Sequence, residues 1–218
     1  MQLLSFVCTS TPPLCASMDS DLAHWFRNHL TPTFVDLLWA LTTPGSALFI
    51  TCTLVLCVAA LAWKKHWFPL ASLITTVGTG SLFGETLKLI VHRVRPFPAG
   101  PFGEWGGYSF PSGHTIAATL LYGFLALAML RLFKRRRWRF LSTCSLLLLI
   151  VSVGFSRIAL GAHYLTDVLG AMTLGTLWIF LCPACLRILH KKIRQPVSTS
   201  TPAQAQPEPA PQLALITE

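Results

Sequence analysis

Three short segments of the chain concentrate the residues that could do chemistry. The first runs Lys88-Leu-Ile-Val-His-Arg-Val-Arg95-Pro96, the second Phe110-Pro111-Ser112-Gly113-His114, and the third Ser156-Arg157-Ile-Ala-Leu-Gly-Ala-His163-Tyr-Leu-Thr-Asp167. Lys88, Arg95 and Arg157 are three cations with few acids near them in sequence, a set suited to a dianionic phosphate, and arginine adds bidentate contacts to phosphate oxygens. Pro111, Ser112 and Gly113 precede an apolar run. Proline suits a first helical turn, glycine lets a backbone N–H come close, and a helix N-terminus favours an anion. The Ser112 hydroxyl adds a donor. His163 and Asp167 are four residues apart and share one helix face. A carboxylate there can hold one imidazole N–H and leave the other nitrogen free to attack phosphorus. His114 can protonate the departing oxygen. Together these residues read as phosphoryl transfer through a phosphohistidine on His163. Water then releases phosphate with His114 as base, while the cations stabilise charge on the equatorial oxygens.

The elements that must position these segments are of unusual composition. Of 218 residues, 53% are apolar and only 11% charged, with a net charge of +9. A soluble domain carries about 25% charged residues, so a water-facing globule, a coiled coil and a disordered chain are all excluded. The expectation is an all-α polytopic membrane protein with one domain over residues 19–194. Five apolar stretches, 46–63, 69–91, 115–133, 140–160 and 165–186, are each near the roughly 20 residues that cross a bilayer. Residues 19–42, broken at Thr31-Pro32, read as two short amphipathic helices at the interface. Residues 1–18 are too short to span and are interrupted by Pro12 and Pro13. They also lack the basic start of a signal peptide. The segment 195–218, rich in Pro, Ala, Gln, Ser and Thr, is expected to be a disordered cytoplasmic tail.

Orientation follows from the basic residues. Lys64 and Lys65; Arg131, Lys134, Arg135, Arg136, Arg137 and Arg139; and Arg187, Lys191, Lys192 and Arg194 fall in three places that alternate between spans. That side is the cytoplasmic one. The 92–114 loop, the 160–164 loop and the hairpin ends at His114 and Arg157 then meet on the opposite, extracytoplasmic face. Lys88, Arg93, Arg95 and Arg157 break the pattern, and charge in or beside a span is a functional signal.

Other residues draw weaker expectations. Glu85, one turn before Lys88, fits a partner that neutralises Lys88. His92 and Arg93 suit either a second phosphate or lipid headgroups. Glu104, Trp105 and Tyr108 sit in the outer loop and could shape headgroup choice, with Trp105 fitting better as an interface anchor. Of the seven cysteines, Cys52, Cys57, Cys144, Cys182 and Cys185 lie in apolar spans and read as small buried residues. Cys8 and Cys15 could pair if the amino terminus is outside. His24, His29, His66 and His190 draw no role, and the 131–139 run reads as a solvated topology signal touching anionic lipid.

The three segments resemble the signatures K-x6-R-P, P-S-G-H and S-R-x5-H-x3-D of the type 2 phosphatidic acid phosphatase superfamily. That superfamily also includes soluble bacterial acid phosphatases and vanadium haloperoxidases. All three match in order and at full spacing. The resemblance implies a helical bundle with its site on the extracytoplasmic side and no metal or other cofactor. It implies that Lys88, Arg95, Ser112, Gly113 and Arg157 bind phosphate, that His114 is the acid, His163 the nucleophile and Asp167 its partner. Membrane members commonly have six spans, one more than is read here. The implied activity is removal of phosphate from a lipid phosphate or diphosphate at the outer leaflet of a bacterial inner membrane, with membrane lipids rather than nucleic acid as partners. The compact chain leans towards undecaprenyl diphosphate, a lipid of cell-wall biogenesis, converted to undecaprenyl phosphate. The alternatives are phosphatidylglycerophosphate or phosphatidic acid as substrate, a lipid phosphotransferase using the same His163, and a non-catalytic lipid-binding or transport protein.

Overall fold

The computed structural model describes residues 13–100 and 103–194. They form seven α-helices: α1 (Pro13–His29), α2 (Pro32–Thr42), α3 (Ala47–Trp63), α4 (Trp67–Val91), α5 (Gly113–Leu132), α6 (Arg136–Ala159) and α7 (Leu165–Arg194). A 3-10 turn, Thr43–Gly45, joins α2 to α3. A small antiparallel ribbon of β1 (Ala99–Gly100) and β2 (Gly103–Glu104) lies between α4 and α5.

Local chemistry sets several boundaries. Pro32 begins α2, where its missing N–H costs nothing. Ser46 caps α3 by accepting the Phe49 N–H at 3.3 Å. α4 ends at His92, whose φ of 52° cannot continue a helix. Cys8 and the segments 1–12 and 195–218 lie outside the described residues, so the expected tail and the Cys8–Cys15 pairing do too.

Helix α5 is the centre of the bundle and packs against α4, α6 and α7. Leu73 and Val77 of α4, Leu120 and Leu121 of α5, Val153 of α6 and Ala171 of α7 form the main core. The α5–α7 approach is close: a Cβ on Gly175 would sit 2.8 Å from Thr119 Cγ2. Small residues at such a crossing are what let membrane helices pack without a hydrophobic driving force between them. Trp178 Nε1 donates to Thr79 Oγ1 at 3.0 Å, a polar tie between α7 and α4. A second cluster joins Phe26 of α1 and Leu38 of α2 to Ile158, Leu160 and Val168. The two short helices therefore cover the end of the bundle where α6 stops and α7 starts.

Each of the five stretches read as spans is helical. Three of them, α5, α6 and the Leu165–Lys192 part of α7, are long and apolar enough to cross a membrane, and the bent pair Pro32–Gly45 and Ala47–Trp63 makes up to four. α3 alone has only 17 residues, and α4 is diluted by Ser, Thr and Gly. α6 and α7 run further than expected, because Arg136–Arg139 and Arg187–Arg194 continue the helices past their apolar parts. This is a multi-pass membrane protein. One expectation is corrected here. Cys52, Cys144 and Cys185 are exposed on the outside of the bundle and Cys57 and Cys182 are half-buried, because the apolar faces of these helices meet lipid as well as protein.

Candidate active site

The site forms where the start of α5, the end of α6, the 160–164 loop and the end of α4 converge. A cavity of about 320 Å³ is lined by Lys88, Arg95, Gly113, His114, Arg157 and His163, with Trp39, Glu104, Trp105 and Gly106 completing it. Six of the eight residues picked out from the sequence thus surround one space. Ser112 and Asp167, both fully buried, sit behind it. The Ser112 hydroxyl accepts from Thr115 Oγ1 at 2.9 Å, so it is held within the start of α5 rather than in the lining.

His163 is held in one tautomer. Its Nδ1 lies 2.7 Å from the Ser109 carbonyl oxygen, which can only accept, so Nδ1 carries the proton. Its Nε2 lies 3.2 Å from Arg95 Nη1, which can only donate, so Nε2 presents a lone pair. Burial pushes the imidazole pKa down to about 4, the nearby Arg95 and Arg157 charges add to the effect, and Asp167 opposes it. The ring is neutral and oriented, with Nε2 turned towards Arg95 and the cavity.

Asp167 acts on that ring less directly than its spacing suggests. Its Oδ2 is 3.7 Å from His163 Nδ1, too far for a hydrogen bond. The same oxygen accepts the Ser109 hydroxyl at 2.5 Å and the Tyr164 N–H at 2.9 Å. Asp167 therefore fixes Ser109, and the Ser109 carbonyl fixes His163. His163 lies in the loop before α7, out of the i, i+4 geometry of a continuous helix, and this explains the difference.

Arg93 corrects a second expectation. It faces neither phosphate nor lipid headgroups but turns inward. Nη1 donates to Asp167 Oδ1 at 2.6 Å and to Thr166 Oγ1 at 2.6 Å, Nη2 donates to Asp19 Oδ2 at 2.8 Å, and the guanidinium lies 4.3 Å from the Tyr164 ring centre. Asp19, only 3% exposed, also accepts the Thr166 N–H at 3.1 Å and so tethers α1 to the start of α7. Asp19 and Ser109 are the residues that the sequence reading missed. Asp19 lies about 70 residues upstream of the first segment, and only its place among apolar residues of an amphipathic helix marked it. His92 packs edge-on against Tyr108 at 4.4 Å, and Tyr108 does not line the cavity.

The three cations differ in how they are held. Arg95 donates to the carbonyls of Gly106, Gly107 and Ala162 at 2.9, 3.2 and 2.9 Å. Arg157 is 3% exposed, lies 4.5 Å over the Trp105 ring, and has no carboxylate partner among the described residues. Its Nε and the Trp105 Nε1 are buried without a hydrogen-bond acceptor among the described residues. Trp105 is thus a wall of the site, stacked on Trp39 at 5.5 Å, rather than an interface anchor. Lys88 Nζ bonds Glu85 Oε1 at 2.7 Å. A Cβ on Gly113 would sit 2.9 Å from that Nζ, so the glycine leaves room for the ammonium beside the start of α5. Glu104 also lines the cavity. Among the described residues no His, Cys, Asp and Glu cluster could hold a metal ion.

A family model described as the PAP2 superfamily matches residues 69–191. The chain belongs to the PAP2 superfamily. It is 32% identical over 155 residues to phosphatidylglycerophosphatase B of Bacillus subtilis, covering 69% of this chain and 74% of that protein. It is 33% identical over 123 residues to lipid A 1-phosphatase of Rhizobium etli, covering 52% of this chain and 48% of that one. A solved transmembrane PAP2 type phosphatidylglycerolphosphate phosphatase from Bacillus subtilis superimposes with a TM-score of 0.73 at 25% identity, covering 89% of this chain and 95% of its own. The fold is shared as well by Aquifex aeolicus LpxE, with a TM-score of 0.59 at 19% identity over 74% of this chain and 92% of that one. This chain is a PAP2-type membrane lipid phosphatase. Asp19 lies before the matched residues, so the network behind His163 extends beyond the part that the family model describes.

Proposed function

We propose that the protein hydrolyses the terminal phosphomonoester of a membrane lipid through a covalent phosphohistidine. His163 Nε2 attacks phosphorus, and the bond from phosphorus to the lipid oxygen breaks as His114 gives that oxygen a proton. Water, losing a proton to His114, then attacks phosphorus; the P–N bond breaks, inorganic phosphate leaves and His163 is regenerated. Lys88, Arg95 and Arg157 bind the phosphoryl oxygens, and the unpartnered Arg157 Nε is a donor that a phosphoryl oxygen would satisfy. Gly113 allows the close approach of Lys88, Ser112 holds the start of α5, and Asp167 orients His163 through Ser109.

The observation that carries the reading is the locked tautomer of His163, with its lone pair and three cations around one cavity. A lipid is favoured because a second space of about 360 Å³ shares Lys88, Gly113 and His114 with the first. It runs between α3 and α4 along Ile50, Leu54 and Val77, an apolar path for a tail. The likeness to phosphatidylglycerophosphatase B over most of both chains favours phosphatidylglycerophosphate over the undecaprenyl diphosphate that chain size alone suggested. The opening faces away from the basic ends of the helices, which the positive-inside rule assigns to the cytoplasm, so the substrate is drawn from the outer leaflet of the cell membrane.

The test is phosphate release by purified protein in detergent with EDTA. Phosphatidylglycerophosphate, phosphatidic acid and undecaprenyl diphosphate are compared, with His163→Gln alongside. Fastest release from phosphatidylglycerophosphate, abolished in the variant, supports the proposal. Faster release from undecaprenyl diphosphate replaces the substrate but keeps the mechanism, and full activity of His163→Gln overturns the mechanism. Phosphate appearing on an added lipid alcohol instead of in water identifies a phosphotransferase.

A further inference from the structure

A third cavity, of about 330 Å³, lies at the other end of the bundle, between the last turns of α3 and α5, the start of α4 and the second half of α7. It is remote from the active site: His114 and Arg131 are 17 residues apart on α5, or roughly 25 Å. Its walls are apolar, chiefly Phe68, Phe124, Leu127, Phe180 and Pro183, while His66, Arg131 and Arg187 lie around them.

Two further observations separate this cavity from an ordinary groove between membrane helices. The first is polar. Ser72 lines it, is 3% exposed, and its hydroxyl has no hydrogen-bond partner among the described residues. Pro183, on the facing helix, cannot donate to the Ile179 carbonyl. The second is electrostatic. Every acidic residue among those described, namely Asp19, Asp21, Asp36, Glu85, Glu104 and Asp167, belongs to α1, α2, the outer end of α4, the ribbon or the start of α7. Arg131 and Arg187 therefore have no carboxylate at their end of the bundle among the described residues. Lys64, Lys65, Lys134 to Arg137, Lys191 and Lys192 add to the same positive field.

We infer that this cavity binds one anionic phospholipid of the leaflet opposite the active site. An acyl chain fills the apolar space, and the phosphodiester lies on Arg131 and Arg187 beside His66. The Ser72 hydroxyl meets the glycerol ester region, where an acceptor is available. Cations near a membrane surface are each worth about a factor of five in binding an anionic headgroup. Two of them predict a preference of roughly 30-fold over a zwitterionic lipid with the same chains.

The experiment measures the melting temperature of the purified full chain in a neutral detergent during titration with phosphatidylserine, with phosphatidylcholine of the same chains, and with inorganic phosphate. Phosphatidylserine is a diester and so is no substrate for phosphomonoester cleavage. The expected result is a saturable rise with phosphatidylserine, reached by phosphatidylcholine only at about 30-fold higher concentration and not by phosphate. In the Arg131→Gln, Arg187→Gln double variant the two lipids should become equal, while phosphate release from the substrate lipid stays at the wild-type rate. Ser72→Leu, which fills the cavity, should remove the rise with both lipids. Equal shifts for both lipids in the wild type, or an undiminished preference in the double variant, overturn the inference. So does a site that binds phosphatidylserine only after residues 195–218 are removed, since that segment would then be the occupant.

Discussion

Both ends of this bundle are basic, but they use their cations in opposite ways. At the end that holds the candidate active site, the cations around it are held by particular atoms. Arg93 joins Asp19 to Asp167, Arg95 binds three carbonyls and the His163 ring, Arg157 lies on Trp105, and Lys88 is tied to Glu85. At the far end Lys134 to Arg137 are exposed and no ion pair involves them among the described residues. The difference separates two kinds of electrostatic work. A field that orients a protein in a membrane depends on the sum of its charges. A field that stabilises a transition state depends on where each charge is, because it must be in place before the reaction begins. Substitutions that keep the net charge should therefore be tolerated at one end and punished at the other.

The sharpest form of that contrast lies behind His163. Asp167→Asn keeps the shape but removes the charge that holds Arg93, and it puts an amide N–H where Ser109 and Tyr164 donate. We expect kcat to fall by roughly 10³. Asp19→Asn acts one step further out, on Arg93 and Thr166, and should lower kcat by about tenfold with KM little changed. Single-turnover kinetics with quantified phosphohistidine would measure both. If Asp19→Asn matches Asp167→Asn, the two carboxylates act as one unit; if it has no effect, the tether to α1 is only structural.

The buried imidazole makes a pH prediction. With its pKa lowered to about 4, His163 is still almost wholly neutral at pH 5.5, whereas a histidine at its ordinary value would be only about a tenth neutral. His163 should therefore contribute no acid limb near 6.5 to the phosphorylation step, and titration of the His163 imidazole near 6.5, followed by NMR, would contradict the geometry. Stability has a matching sign. The unfolded chain takes up a proton on this residue below about 6.5 and the folded chain does not until about 4. This group thus favours unfolding increasingly as pH falls through that window, and leaves stability flat above it.

Gly113→Ala tests positioning at the smallest scale. The new Cβ would sit 2.9 Å from Lys88 Nζ, the end of a flexible side chain, so the ammonium moves and the backbone does not. KM should rise several-fold while the melting temperature stays within about 2 °C. A large loss of stability would mean that the start of α5 cannot yield.

Much of this site was legible in the sequence because its spacing is tied to helix ends. His114 and Arg157 had to meet once α5 and α6 were read as a hairpin, and Lys88 and Arg95 flank the end of α4. What stayed hidden were contacts between elements distant in sequence. Nothing in the spacing places Asp19 against Thr166, 147 residues away, and an aspartate in an amphipathic helix looks solvated until that helix is packed. Ser109 was hidden for a different reason, since its carbonyl oxygen, which every residue possesses, does the orienting. For Trp105 the anchor reading was favoured over a place in the site because aromatic residues in an outer loop usually mark the interface, whereas here its ring lies 4.5 Å from the Arg157 guanidinium. The helices were legible in number but not in length, because α6 and α7 continue through basic residues that a hydropathy pattern counts as loop.

The smallest expected effect is at the far end, and it can break the comparison. Arg135→Gln, Arg136→Gln and Arg137→Gln together remove three charges from the connection between α5 and α6. None of the three lines the cavity between α3, α4, α5 and α7, and none reaches the catalytic end. Nine basic residues stay on that side, Lys64, Lys65, Arg131, Lys134, Arg139, Arg187, Lys191, Lys192 and Arg194, so the charge bias that orients the helices survives. Phosphate release in detergent should stay within about twofold of the wild type, as for surface changes away from any packed or paired group. Release from vesicles should become less sensitive to anionic lipid, because each arginine near a charged surface contributes about 1 kcal/mol of attraction. If the triple variant instead loses activity in detergent, where no bilayer charge exists, the basic end is coupled to the site through the bundle and the two ends are not separate devices.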